Sequence, residues 1–112
     1  MGTIKEKNAA VRRSHRIHEL LMTRFFYGAT NKELAAALGT SPVNIHRDLE
    51  TLEEMGYARK TEEGRFEATT KALQIYRAFT IHYENQQSRL SETARTIEAG
   101  GRRVADQGVN HV

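Results

Sequence analysis

The sequence has no cysteine, no tryptophan and a single proline. Without cysteine there is no disulfide framework, no thiolate zinc site and no thiol nucleophile, and a reducing cytoplasm suits such a chain. No run of apolar residues approaches the length of a membrane span, and the polar N-terminus lacks a signal-peptide core. A soluble, unexported, cytoplasmic protein with no membrane contact is the expectation. The marks of catalysis are missing too: no Ser/His/Asp order, no glycine-rich phosphate loop and no paired buried carboxylates stand out. The chain is therefore read as a non-enzyme without a cofactor. His15 and His18 lie three apart on one helical face, but two ligands do not make a metal site.

What is present is charge, unevenly placed. The net charge is +3, and its distribution says more than its total. Residues 1–29 hold six Lys/Arg against two Glu, giving +4. Residues 30–69 hold five against eight acidic residues, giving −3, and residues 70–112 hold six against four, giving +2. A basic chain with an acidic middle fits a nucleic-acid partner only if the acidic groups face away from phosphate. A length of 112 residues accommodates one small domain plus an extension, without room for a sensor domain of ordinary size.

The stretch from Gly39 to Tyr57 organises the rest. Ser41 suits an N-cap and Pro42 the first helical position, where its missing N–H costs nothing. Ile45, Leu49, Leu52 and Met55 form a one-sided apolar stripe, and Gly56 sits where a helix terminates. A helix is predicted over about 42–55. Its other face carries Pro42, Val43, Asn44, His46, Arg47 and Glu50, a set able to read base edges in a DNA major groove. Just upstream, Thr30 and Glu33 have capping-box spacing, followed by Leu34, Ala35 and Leu38 on one face. Gly39 allows the sharp turn between the two helices, and together they spell helix-turn-helix. Two such helices also occur in bundles that bind no nucleic acid, so the segments around them matter.

After Gly56, Tyr57–Thr61 and Arg65–Thr69 are strand-compatible runs joined by Glu62-Glu63-Gly64, a hairpin over 57–69. Lys60 and Arg65 suit contacts to a DNA backbone. Upstream, a first helix is predicted from Val11 to Tyr27, with Ile17, Leu20, Leu21 and Phe25 facing inward. Arg12, Arg13 and Arg16 occupy its other faces, either as a solvated surface or as phosphate contacts.

In the run Glu33-Leu34-Ala35, Gly39, Ile45-His46-Arg47, Leu49, Thr51-Leu52 and Gly56-Tyr57, the chain closely resembles the winged helix-turn-helix of the IclR family of bacterial transcriptional regulators. The resemblance covers about residues 14–75. It implies double-stranded DNA as partner and transcription regulation in a prokaryote or phage. It also implies a groove-facing set of Ser41, Pro42, Asn44, His46 and Arg47, with Thr30 and Lys32 near the backbone. The chain departs from the family at Ala68, where a larger aliphatic residue is usual, so a less firmly packed wing is expected. The acidic tip Glu62-Glu63 disfavours deep insertion into the negative minor groove. In a chain of this length the larger effector-binding domain typical of the family is not expected.

The predicted architecture is mainly α with a small β-hairpin. It comprises a flexible basic arm over 1–10 with Lys5 and Lys7, a winged helix-turn-helix over 11–70, a long helix over 71–98 and a disordered tail over 99–112. A helix from Thr70 to Glu98 would run about 42 Å at 1.5 Å per residue. Leu73, Tyr76, Tyr83, Leu90 and Ile97 form its seam at heptad-like spacing, predicting a homodimer. Ala72, Ile75 and Phe79 lie on another face, suited to packing on the winged domain. A winged-helix adaptor that binds protein and no DNA is the alternative, kept open by the acidic end of the second helix and the acidic wing tip.

Overall fold

The computed structural model describes residues 8–87 and 91–111, the side chains of 109–111 excepted. Lys5 and Lys7 of the expected arm and Leu90 of the expected seam lie outside the described residues. Five helices and one hairpin follow in order: α1 (Ala9–Thr23), α2 (Asn31–Leu38), α3 (Pro42–Glu54), β1 (Ala58–Lys60), β2 (Phe66–Ala68), α4 (Lys71–Glu84) and α5 (Ser91–His111). None of these helices is long and apolar enough to cross a membrane.

The inward residues of α1 and α3 build the core. Ile17, Leu21, Leu34, Ile45 and Leu49 are fully buried, and Leu52, Ala58, Phe66 and Ala68 close it toward the hairpin. Leu20 and Phe25 pack against this cluster at its edge. Met55, placed by its spacing in the same stripe, instead remains half exposed. It is the C-cap of α3, and the backbone turns away there: Gly56 takes φ 85°. Tyr57 N–H donates to Leu52 O at 2.8 Å and Gly56 N–H to Glu53 O at 3.0 Å, the paired bonds of a Schellman termination that only a residue tolerant of left-handed backbone completes without strain.

The first helix is shorter than its pattern predicts. It ends at Thr23, because Arg24 to Gly28 form a turn closed by Tyr27 N–H and Gly28 N–H on Arg24 O. Phe26 and Tyr27, beyond it, are exposed.

β1 and β2 pair antiparallel, Ala58 with Ala68 and Lys60 with Phe66. An isolated bridge adds Ala29 beside Phe66, with N–H···O distances of 2.9 and 2.7 Å. The hairpin is thus sewn to the segment entering α2. Ala68 is buried at 3% exposure, so its small side chain packs against the core and does not leave the wing open.

The C-terminal region differs most from expectation. The predicted single helix is two: α4 ends at Glu84 and α5 starts at Ser91. Asn85, Gln86 and Gln87 follow α4 with no apolar side chain to continue a buried seam, and their backbone closes in turns onto His82 O and Tyr83 O. The segment 99–111, expected as a disordered tail, is helical. Gly100 and Gly101 do not terminate the helix, since neither adopts positive φ. Gly108 explains why the chain stays helical past them. It is buried against α1, where a Cβ would come within 2.8 Å of the Thr23 backbone carbon, and Arg24 Nη1 donates to its carbonyl at 3.4 Å. Contact with α1 supplies a reason for order that local propensity, lowered by two glycines, does not.

His18 lies on α1 with its ring edge-on to Tyr57, centroids 5.1 Å apart. Burial pushes its pKa below the ordinary 6.5, reinforced by neighbouring His15 and opposed by Glu19. The unfolded chain then binds this proton more readily, so stability falls as pH drops below about 6.5. Urea midpoints of the wild type should decline from pH 7 to pH 5, and more shallowly in His18→Gln. Equal declines in both would remove His18 as the cause.

Candidate nucleic-acid interface

The candidate surface is assembled by local capping and two long-range ties. Thr30 Oγ1 accepts from Glu33 N–H at 3.1 Å while Thr30 N–H donates to Glu33 Oε1 at 3.0 Å, the reciprocal box its spacing predicts. The backbone bond from Thr30 holds the Glu33 carboxyl below its ordinary pKa, with Arg65 adding to the effect. Gly39 ends α2 in the left-handed region, and Ser41 caps α3 by accepting from Asn44 N–H at 3.2 Å. Asn31 Nδ2 then donates across the turn to Pro42 O at 3.1 Å, fixing the first turn of α3 against the start of α2.

With Ile45, Asp48, Leu49 and Leu52 turned inward, α3 presents Pro42, Val43, His46, Arg47 and Glu50 to solvent. Ser41 and Lys32 are exposed on the same side of the turn and Thr30 is half-buried. Among the described residues the Arg47 guanidinium has no side-chain partner. His46 Nε2 stands 3.5 Å from Glu50 Oε1, both largely exposed. Asn44 is half-buried and its amide donates to Thr40 Oγ1 at 3.0 Å, which fixes the orientation of its carbonyl.

On the wing, Lys60 is exposed with its ammonium 5.8 Å from the Phe66 ring centre, and Arg59 pairs across the strands with Glu67 at 3.2 Å. Glu62 and Glu63 occupy the exposed tip. Arg65 has a different setting from Lys60. Its guanidinium donates to Tyr27 O at 3.0 Å and Gly28 O at 3.2 Å, and meets Glu33 at 3.1 Å. It therefore staples the wing to the start of α2, and only its remaining N–H groups are free to meet a phosphate.

Sequence reasoning missed the second tie. Asp48, on the inward face of α3 at 4% exposure, is held by Arg13 of α1 through Nε and, at 3.2 Å, through Nη2. Arg13, grouped by sequence with Arg12 and Arg16 as a candidate phosphate contact, is thus occupied inside the fold, whereas Arg12 and Arg16 are exposed. The signal was present: Asp48 falls three residues after Ile45, on the apolar stripe. Among the described residues no group of three or more metal-ligating side chains gathers, at His15 and His18 or elsewhere.

Residues 27–62 match the family model of the IclR helix-turn-helix domain. The match is 36 of the 112 residues. It spans the turn before α2, both helices and β1, ending at the wing tip. No curated protein and no solved structure matches the chain. An IclR helix-turn-helix is a DNA-binding domain of transcription regulators, and the surface just described is one solvent-open part of that segment. The five residues of the expected seam are divided: Leu73, Tyr76 and Tyr83 are on α4, Ile97 is on α5, and Leu90 is outside the described residues.

Proposed function

We propose that the chain is a sequence-specific regulator of transcription that inserts α3 into the major groove of double-stranded DNA and works as a homodimer in a prokaryotic or phage-infected cytoplasm. The observation that carries the reading is the solvent-facing side of α3 within the IclR-matched segment, where Arg47, without a side-chain partner among the described residues, is exposed alongside Pro42, Val43 and His46. In this reading Asn44 and His46 meet base edges, and Arg47 meets phosphate or guanine. Ser41, Thr30 and Lys32 sit at the helix starts, where N–H groups and positive charge favour phosphate. Lys60 contacts the backbone from the wing, and Arg65 chiefly holds the wing in position.

Dimerisation is supported by α4. None of its residues is buried, although Leu73, Ile75, Tyr76, Phe79 and Ile81 are large and apolar. A 14-residue helix is marginal without tertiary packing. Tyr76, Phe79 and Tyr83 stack in a row, centroids 6.4 and 6.1 Å apart. They face Ala94 and Ile97 of α5 across a groove of about 410 Å³. A second copy covering this surface by two-fold symmetry closes it and sets two recognition helices about 34 Å apart, or a multiple of that, on inverted half-sites.

Anisotropy titrations of labelled duplexes over a salt series test the reading. Wild type should bind with a negative salt slope. Asn44→Ala should lose about 1–3 kcal/mol on the cognate site and relax preference at one base pair. Arg47→Ala should weaken all sequences more evenly. Tyr76→Glu should sediment as a monomer and lose affinity for paired half-sites far more than for one. Absence of duplex binding at low salt sinks the proposal in favour of a protein-binding adaptor, and a monomeric wild type sinks the dimer.

A further inference from the structure

A second cleft, on the side of α3 away from the candidate DNA-facing surface, lies between α1, the back of α3, Tyr57 before β1 and the first turns of α4. Its volume is about 650 Å³, within the range of small-molecule sites. Three helices and Tyr57 wall it on several sides, so it is a concave groove. Val11 of α1, Leu52 and Met55 of α3, and Ala72 and Ile75 of α4 make its apolar sides. Val11, Met55 and Ile75 each remain more than half exposed, a set of apolar groups surrounding a hollow that no described residue fills. The edge-to-face rings of His18 and Tyr57 form one wall. Ser14, His15 and Thr51 supply the polar groups, and all three are accessible.

The charges around the cleft are already matched. Asp48, its one acidic side chain, is engaged by Arg13. The Lys71 ammonium nearby donates to Met55 O and lies 4.6 Å from the centre of the Tyr57 ring. Among the described residues an ionic ligand would find no unpaired carboxylate or ammonium here and would lose its hydration. A neutral ligand with flat apolar faces covers Val11, Met55 and Ile75 and lies against the two rings at no such cost.

We propose that this cleft is a binding site for a neutral, flat, mainly apolar small molecule of two or three fused rings carrying a hydroxyl or similar polar end directed to Ser14, His15 and Thr51. The ligand bridges the back of the recognition helix to α4. If α4 carries the dimer contact, occupancy sets the angle between the two recognition helices, and this regulatory consequence rests on the function proposed above. Ala72 and Ile75 line the cleft at the first turns of α4, whereas Tyr76 and Tyr83 line the groove farther along it, so one helix serves both.

The neutral fluorophore N-phenyl-1-naphthylamine, titrated into the full chain without DNA and displaced by 1-naphthol, reads the site directly. Saturable enhancement at one probe per chain is expected. Ala72→Trp fills the cleft from a helix with no buried residue, and Ser14→Trp fills it from α1; each should weaken the probe at least tenfold. Ile97→Glu, in the groove between α4 and α5, should leave probe binding unchanged. No saturable binding, or binding that survives both tryptophan variants, overturns the site. Conversion of a wild-type dimer to monomer by Ala72→Trp also overturns it, since the cleft would then be covered by a second copy. At saturation, 1-naphthol should change affinity for a two-half-site duplex at least fivefold and leave a single half-site unchanged. Equal effects on both refute the coupling, and failure of every duplex to bind overturns the DNA reading while the probe titration still decides the site.

Discussion

Arg13→Met should destabilise the protein by about 3–5 kcal/mol, because it strands the Asp48 carboxylate in the interior without its guanidinium. Asp48 is 4% exposed and lies between α1 and α3, with both guanidinium contacts coming from Arg13. A carboxylate removed from water must be compensated by charge or hydrogen bonds, and here the compensation arrives from a residue 35 positions away. Replacing both partners, as Arg13→Met with Asp48→Leu, should recover most of the loss, since an apolar pair of similar volume needs no compensation. Urea melts of wild type, the single variant and the double variant form the test. A single variant as stable as wild type would mean that Asp48 reaches water, and a double variant no better than the single would assign the loss to packing by the Arg13 stem.

Leu49→Ala should cost about 2–5 kcal/mol, the range for a fully buried leucine whose neighbours relax only in part. Leu49 has no exposed surface and shares its cluster with Ile17, Leu21, Leu34 and Ile45. Through the cluster it shares, α3 rests on α1 and α2. The loss is a large share of the stability of a small domain, so the urea midpoint should fall sharply, and anisotropy at low temperature should still report duplex binding by the folded fraction. A wild-type midpoint would mean that the inward phase of α3 is misassigned and that His46 and Arg47 do not face outward.

Both substitutions bear on the inward side of α3, and they show which parts of the molecule its sequence could disclose. The helix-turn-helix was legible because each of its signals acts within a few residues. The Thr30–Glu33 box, Gly39 at the turn, Ser41-Pro42 at the next start and Gly56 at its end satisfy backbone groups three to five positions away, whatever surrounds them. The hairpin was legible for the same reason. The inward stripe of α3 was right through Leu52 and failed at Met55, where the helix had ended and helical spacing no longer described a helix face.

The side chains with more than one possible use could not be assigned by spacing. Arg13, Arg16 and Arg65 are equivalent as sequence, all basic and all near a presumed DNA face. Only the packing of α1 against α3 gives Arg13 to Asp48, and only the bridge between Ala29 and Phe66 brings Arg65 to the carbonyls of Tyr27 and Gly28. The same holds for the C-terminal region. Gly100-Gly101 reads locally as a helix end, but a glycine ends a helix only by turning to positive φ. Here both remain helical while Gly108, lacking a Cβ, seats α5 against Thr23, a contact across 84 residues of chain as measured by the Arg24 bond to the same glycine. The sequence by itself thus determined the caps, turns and apolar stripe of the helix-turn-helix and its wing, because their energies are local. The tertiary structure decided which arginines are structural, where the C-terminal helix lies and that a cleft opens behind the recognition helix, because each of these depends on elements meeting that are far apart in the chain.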